Sequence, residues 1–270
     1  MHITNRISRI FGKFASKPFP SVVQNIINYG YVKLLGLDMR EFKRPSQYKS
    51  LNALFTRALI SPRDIDMSEQ NFVSPADSFI SEAGTLKRST LMQIKGMDYN
   101  VSELLTQHID SNNINKVEDG AFMNFYLSPK DYHRYHASYA CKVKKLIHVP
   151  GVLYPVNFTY LRKEKDLFVQ NERVILECET NDGKLFYMVF VGALNVGEMV
   201  FEFEPRVETN TNQQDVKVYE YENQTLEKGD CIGWFKMGST VVMVWEKDLI
   251  SLNDLVNKKV NFGTIVADML

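Results

Sequence analysis

Apolar residues recur along this chain with two different periods, and the change of period divides it in two. The first part is helical. Ile7, Ile10, Phe11 and Phe14 fall at i, i+3, i+4 and i+7 and share one helix face, and Pro18 and Pro20 then interrupt the run. Val23, Ile26, Ile27, Tyr31, Leu34 and Leu35 define a second face; Leu51, Leu54, Phe55 and Leu59 define a third that ends near Pro62. From about Phe72 onward short β-rich runs take over: Ala121 to Leu127, Lys142 to Val149, Arg173 to Cys178, Leu185 to Val191, Met199 to Phe203 and Val241 to Trp245. Asn181-Asp182-Gly183 and Lys228-Gly229-Asp230 read as turns, and the polar, acidic stretch Val207 to Gln224 as a surface excursion. No βαβ alternation is visible. The pattern therefore predicts an α+β chain, with a helical region (residues 1–65) on or beside a mainly antiparallel, sandwich-like or barrel-like β core (residues 66–270).

Composition changes this picture in few places. With 270 residues and a formal net charge of zero, nothing in the overall balance points to nucleic acid. Three cysteines, Cys141, Cys178 and Cys231, form no metal-ligand spacing and fit free buried thiols in a reducing compartment. No metal is expected. No run of eighteen or more apolar residues predicts a membrane span, and no apolar h-region follows the basic start. The neutral total hides one asymmetry. Arg6, Arg9, Lys13 and Lys17 face no acid in the first twenty residues. A basic amphipathic helix carrying Phe11 and Phe14 has the form of an interfacial membrane anchor. The same stripe also suits packing on the rest of the protein, and a basic, acid-poor start is shared with organellar transit peptides.

The candidate chemistry centres on Gly238-Ser239-Thr240. A glycine carbonyl followed by a serine hydroxyl can undergo attack of the hydroxyl on its own preceding peptide through a five-membered ring. Alone the tripeptide is weak, since it turns up by chance in about one chain in ten or twenty of this length. Its company strengthens it: Ser74-Pro75-Ala76-Asp77 and Leu127-Ser128-Pro129-Lys130-Asp131-Tyr132-His133-Arg134-Tyr135-His136 supply an Asp and two His. A serine hydroxyl needs a base, a near-neutral histidine is the usual one, and an aspartate fixes its tautomer. Taken singly, Asp77 is as readily a turn or capping residue, and Ser239 a strand-edge serine. His2, His108 and His148 read as ordinary structural or surface histidines. Because His133 and His136 are three apart, a shared site predicts a helical or turn-like run from Ser128 to His136, in which Asp131 caps the run or pairs with Arg134.

These segments, in this order, resemble a phosphatidylserine decarboxylase of the short bacterial type, a self-processing pyruvoyl enzyme. The likeness begins near Leu51, runs to the C-terminus and includes Leu54-Phe55-Thr56-Arg57 and Gly151-Val152-Leu153-Tyr154-Pro155-Val156-Asn157. Two positions depart from the pattern: Met237 stands where Leu is usual, a nearly volume-conserving change, and Ser78 where Gly is usual. The resemblance implies that Ser239 becomes the pyruvoyl group after cleavage between Gly238 and Ser239. It implies that His136 is the base of that cleavage, Asp77 its orienting carboxylate, and His133 the histidine of the decarboxylation step. It implies two chains, 1–238 and 239–270, that stay together with Val241 to Trp245 in the core. A pyruvoyl carbonyl condenses with a primary amine and accepts the electrons released with carbon dioxide. Phosphatidylserine is then the substrate and phosphatidylethanolamine the product, with either His133 or water returning the proton to carbon.

The resemblance further implies a dimer of processed protomers and a peripheral place on the cytoplasmic face of the inner membrane, where the basic start meets anionic lipid. Tyr154, Pro155, Val156 and Asn157 are expected to line the substrate pocket, with Asn157 either bonding a carboxylate or phosphate or closing a turn. Three other readings compete. A lasting serine hydrolase lacks its Gly-x-Ser-x-Gly elbow here. A pyruvoyl decarboxylase of a soluble amino acid has no use for the basic, apolar start. A membrane-surface binding protein predicts one intact chain.

Overall fold

The computed structural model describes residues 3–86, 91–94, 97–156, 166–194, 198–236 and 239–270. Two long helices open the chain, α1 (Ile3–Ser16) and α2 (Ser21–Leu35), with the short α3 (Leu51–Phe55) after them. Their amphipathicity is inverted. On α1 the buried residues are Asn5, Ser8 and Ala15, while Ile3 (69% exposed), Ile7, Ile10 (62%) and Phe14 face outward. Polar contacts anchor the inner face: Asn5 Nδ2 donates to the Gly151 carbonyl at 3.0 Å, and Arg9 Nη1 to Asn212 Oδ1 at 2.8 Å. α2 repeats the arrangement around Gln24 and Asn28, whose Nδ2 donates to the carbonyls of Pro45 and Tyr48. The single face expected for α2 is divided, since Ile27 and Tyr31 pack inward whereas Val23, Ile26 and Leu34 are exposed. α3 is shorter than its periodicity suggested. Ser50 Oγ caps it by accepting the Ala53 N–H at 3.1 Å, and Leu59 bridges to Phe42 instead of extending the helix.

The rest is built on one large, open, antiparallel sheet. Its spatial order is Lys217–Glu220, Cys141–Val149, Arg173–Glu179, Leu185–Val191, Ser239–Trp245, Ala121–Leu127, Ser78–Thr85 and Lys259–Val260, with Thr225–Leu226 also pairing with Cys141–Val149. The sheet does not close, so the barrel alternative falls and the sandwich alternative stands for one face only. On that face lie two three-stranded sheets. One runs Asn71–Val73, Ile265–Met269, Ile250–Leu252; the other runs Glu198–Phe201, Cys231–Lys236, Arg134–His136. The opposite face is covered by the helices Val101–Leu105 and Leu167–Gln170. Double coverage explains the continuous apolar runs. Val241, Met243 and Trp245 enter one core and Val242 and Val244 the other. The acidic excursion is partly built in: Lys217–Glu220 forms an edge strand against Cys141–Val149.

Candidate active site

Ser239 opens a central strand. It pairs with Leu127, and the strand it begins is hydrogen-bonded on its other side to Leu185–Val191 from Thr240 onward. Thr240 Oγ1 donates to Asn124 Oδ1 at 2.9 Å, which fixes the register at the strand's start. Ser239 is fully buried, and its Oγ has no hydrogen-bond partner among the described residues. A buried hydroxyl without a partner forfeits about 1–3 kcal/mol. Met237 and Gly238 lie outside the described residues.

Leu127 leads directly into the histidine run. The run is a turn followed by a strand, not a helix: Asp131 Oδ2 accepts the Ser128 N–H at 2.7 Å and closes the turn, and Arg134–His136 then pairs with Cys231–Lys236. Asp131 thus caps, and Arg134 pairs instead with Glu202 at 3.5 Å. Tertiary pairing overrides the helical spacing, and the two imidazoles have separate surroundings. His133 packs its ring 3.9 Å from that of Phe55 and donates from Nδ1 to the Asp131 carbonyl at 2.8 Å; its buried Nε2 has no partner among the described residues. His136 stacks on Phe262 at 3.7 Å, bonds the Gly229 carbonyl through Nδ1 at 2.9 Å, and meets the Tyr132 hydroxyl through Nε2 at 3.1 Å. With Nδ1 donating, Nε2 accepts the Tyr132 O–H. Gly229 sits at φ 90°, a conformation glycine adopts without strain, and so aims its carbonyl at the ring.

Burial holds both rings neutral. It pushes His133 down to about 3, helped by the nearby Arg57 cation and opposed by the Asp131 carbonyl. It pushes His136 down to about 4 against the hydrogen bond to Gly229. A neutral imidazole can take a proton from a hydroxyl.

Asp77 is drawn to the same place by a different set of bonds. Its Oδ1 accepts the Phe262 N–H at 2.7 Å and Arg63 Nη1 at 2.5 Å, and its Oδ2 accepts Arg63 Nη2 at 3.0 Å. Arg63 also pairs with Glu41. The His136 N–H donates to the Pro75 carbonyl at 2.8 Å, two residues before Asp77. Among the described residues no direct hydrogen bond joins Asp77 to His136, or His136 to Ser239. Tyr132, Arg63 and Phe262 were not singled out from the sequence. Tyr132 lay inside the histidine motif; Arg63 and Phe262 gave no local signal, because their partners are far away along the chain.

The expected pocket segment lies at the same end of the sheet. The Tyr154 carbonyl accepts the Leu194 N–H at 3.3 Å, just beyond Val191, which pairs with Thr240. Val156 is buried in the helix-covered core, Pro155 is half-buried, and Asn157 lies outside the described residues.

A sequence model of the family described as phosphatidylserine decarboxylase matches residues 51–268. A phosphatidylserine decarboxylase proenzyme of Campylobacter jejuni is 40% identical over 272 residues, covering 99% of this chain and 100% of the relative. A proenzyme of the same name from Helicobacter pylori is 40% identical over 268 residues, covering 98% and 97%. One from Shewanella baltica is 38% identical over 253 residues, covering 91% and 85%. With an open β core that carries Asp77, the two histidines and Ser239 on adjoining strands and loops, the chain belongs to the phosphatidylserine decarboxylase family.

Proposed function

We propose that this chain is a proenzyme that cuts itself between Gly238 and Ser239 and then, as two associated chains, decarboxylates phosphatidylserine to phosphatidylethanolamine. The observation that carries this reading is the fully buried Ser239 Oγ, which has no hydrogen-bond partner among the described residues, at the start of a central strand whose neighbour Ala121–Leu127 leads into the run that carries two neutral histidines. Ser239 Oγ adds to the Gly238 carbonyl carbon and its proton passes to His136 Nε2. The Gly238–Ser239 C–N bond breaks, the amine takes that proton, and an ester remains. Loss of the Ser239 α-proton expels the Gly238 carboxylate and leaves dehydroalanine, whose hydrolysis releases ammonia and leaves a pyruvoyl group at residue 239. An orphaned Ser239 hydroxyl fits that origin. The group supplies an electrophilic carbonyl for the substrate amine and an electron sink for the loss of carbon dioxide.

The other residues position and move protons. Asp77, held by Arg63 and the Phe262 amide, places negative charge near His136. His136 Nε2 must exchange its bond with Tyr132 to serve as the base. His133, whose Nε2 bears a lone pair while Nδ1–H is spent on Asp131, takes up a proton before giving it to the substrate α-carbon. That free Nε2 supports a second reading, in which His133 is the base of the cleavage itself. Tyr154, Pro155, Val156 and Asn157 line the pocket in the proposed enzyme.

A lipid substrate requires a surface. Among the described residues no helix is long and apolar enough to cross a membrane. The outward stripe Ile3, Ile7, Ile10 and Phe14, flanked by exposed Arg6, Lys13 and Lys17, suits peripheral docking on anionic lipid at the cytoplasmic face of the inner membrane. Homodimerisation of the cut protein rests on the family resemblance.

Intact mass spectrometry of purified protein tests the reading. Two fragments meeting at Gly238 and Ser239, the shorter beginning with pyruvoyl, are expected, and Ser239→Ala should stay whole and inactive. Normal cutting of Ser239→Ala defeats the assignment. His133→Ala should cut and decarboxylate poorly; if it stays whole, the second reading replaces the first.

A further inference from the structure

Arg57 is a buried cation whose hydrogen-bonding capacity is largely unspent. It follows α3, is 2% exposed, and has no carboxylate within ion-pair distance among the described residues. Nη2 donates to the carbonyls of Lys130 and Asp131 at 2.9 and 3.1 Å, and the guanidinium lies 4.5 Å from the ring centre of Phe42. Among the described residues Nε and Nη1 have no partner. Removing a cation from water without a counter-charge costs several kcal/mol, and a buried donor left unmade adds about 1–3 kcal/mol more. Perturbed buried charges of this kind cluster at functional sites.

Its place identifies the reaction it serves. The Asp131 carbonyl accepts from both Arg57 Nη2 and His133 Nδ1, so one atom fixes the guanidinium relative to the imidazole. The substrate offers two anions beside its α-carbon, a carboxylate and a phosphodiester. A cation on the carboxylate would stabilise the charge that must leave and would bind the ground state better than the transition state. The phosphodiester keeps its charge throughout, and one oxygen and one methylene separate it from the α-carbon that His133 must reach.

We propose that Arg57 binds the phosphodiester of the substrate head group and thereby sets the α-carbon beside His133. This rests on the assignment of Ser239 and His133 given above. In the uncut chain the guanidinium is buried, so binding of the diester requires that the site open after the cut; the strand Cys231–Lys236, which precedes the proposed cut, donates its Phe235 N–H to the His133 carbonyl.

The test is steady-state kinetics on glycerophosphoserine with cut wild type, Arg57→Met and Arg57→Lys, together with calorimetric titration of glycerophosphoethanolamine and of inorganic phosphate. Arg57→Met should still cut, raise KM tenfold or more with a much smaller change in kcat, and lose glycerophosphoethanolamine binding, with Arg57→Lys intermediate. If Arg57→Met fails to cut or fold, Arg57→Lys decides by the same KM-against-kcat split. A fall in kcat with KM unchanged, or a shifted pH–rate profile at constant KM, means that Arg57 acts only through His133 and overturns the proposal. Failure of both variants to cut overturns it in favour of a role in cleavage or folding, and inorganic phosphate binding as tightly as the diester overturns the head-group assignment. Wild type that never cuts at Ser239 defeats the underlying site instead.

Discussion

Phe262 lies flat against His136, ring centres 3.7 Å apart and planes 13° apart, while its own backbone N–H donates to Asp77. One residue thus touches the imidazole with its ring and the carboxylate with its amide. The sequence separates Phe262 from Asp77 by 185 positions, and it lies beyond the proposed cut. The fragment that would carry Ser239 after the proposed cut therefore also carries the residue that touches both His136 and Asp77.

The bond from the Tyr132 hydroxyl to His136 Nε2 occupies the lone pair that the proposed cleavage step would use. A hydrogen bond of this kind is worth about 0.5–1.5 kcal/mol net. Tyr132→Phe should therefore speed self-cleavage by about two- to tenfold, read from the time course of the uncut band on a denaturing gel. Slower cutting would place the hydroxyl inside the machinery.

Arg63 binds Asp77 and Glu41 together, but the two pairs differ in depth. Arg63 and Asp77 side chains are 13% and 15% exposed, whereas Glu41 is 49% exposed. Loss of Arg63 leaves a largely buried carboxylate with only the Phe262 amide, and Arg63→Met should lose about 2–4 kcal/mol in urea unfolding. Glu41→Gln should lose less than about 1 kcal/mol. Equal losses would show that Asp77 does not depend on its guanidinium partner.

Much of this architecture is legible in the sequence, for reasons visible in particular residues. Ala121–Leu127 and Leu185–Val191 match the apolar runs to the residue, because strands covered on both faces are almost wholly apolar; the exception, Asn124, is satisfied by Ser81 and Thr240. Periodicity shows that Ile7, Ile10 and Phe14 share a face but not what that face meets, and here it meets solvent while Asn5 and Ser8 point inward. The three-residue spacing of His133 and His136 suggests a helix or a turn; the turn is present, but local spacing carries no record of the strand Cys231–Lys236 that captures Arg134–His136. Arg57 stood inside a recognised motif, yet only the fold reveals that its charge is unpaired. The carboxylate clamp was hidden because Glu41, Arg63, Asp77 and Phe262 come from four separate segments.

Burial of two neutral histidines makes stability pH-dependent. Both folded values lie below the unfolded value near 6.5, at about 4 for His136 and about 3 for His133. The unfolded chain therefore binds more protons below 6.5, and stability falls with pH, by about 1.4 kcal/mol per unit for each ring. From pH 6.5 to pH 5 the two together should remove about 3 kcal/mol, since the full slope is reached only below the unfolded value, and the loss should level off once pH passes 4 and then 3. Urea midpoints for wild type and His136→Gln across that range measure the contribution of one ring. An unchanged slope in the variant would mean that His136 is not held neutral.

Residues 239 to 270, the shorter fragment of the proposed cut, are woven through the fold. Ser239–Trp245 is hydrogen-bonded on both sides, Lys259–Val260 pairs with Ser78–Thr85, and Ile265–Met269 lies between Asn71–Val73 and Ile250–Leu252. Val241 to Trp245 are fully buried, at about 1.5–3 kcal/mol for each such apolar side chain. The two fragments should elute together in native size-exclusion chromatography and part only in denaturant. Separation in plain buffer would show that the strand is released on cutting.

The outward stripe of α1 has little to do for stability, since Ile7, Ile10 and Phe14 are 47%, 62% and 48% exposed. Replacing all three by Ser should change the unfolding free energy by no more than about 0.5 kcal/mol each, as expected for exposed positions. The same change removes the apolar surface that meets a bilayer, so co-sedimentation with phosphatidylserine-containing vesicles should fall severalfold. Activity on vesicles should fall with it, while activity on soluble glycerophosphoserine should hold. Undiminished vesicle binding would move the membrane contact to α2, whose Val22, Ile26 and Leu34 are equally bare. A large loss of stability would instead mean that the stripe is covered by protein in solution, as a second copy of the chain would cover it.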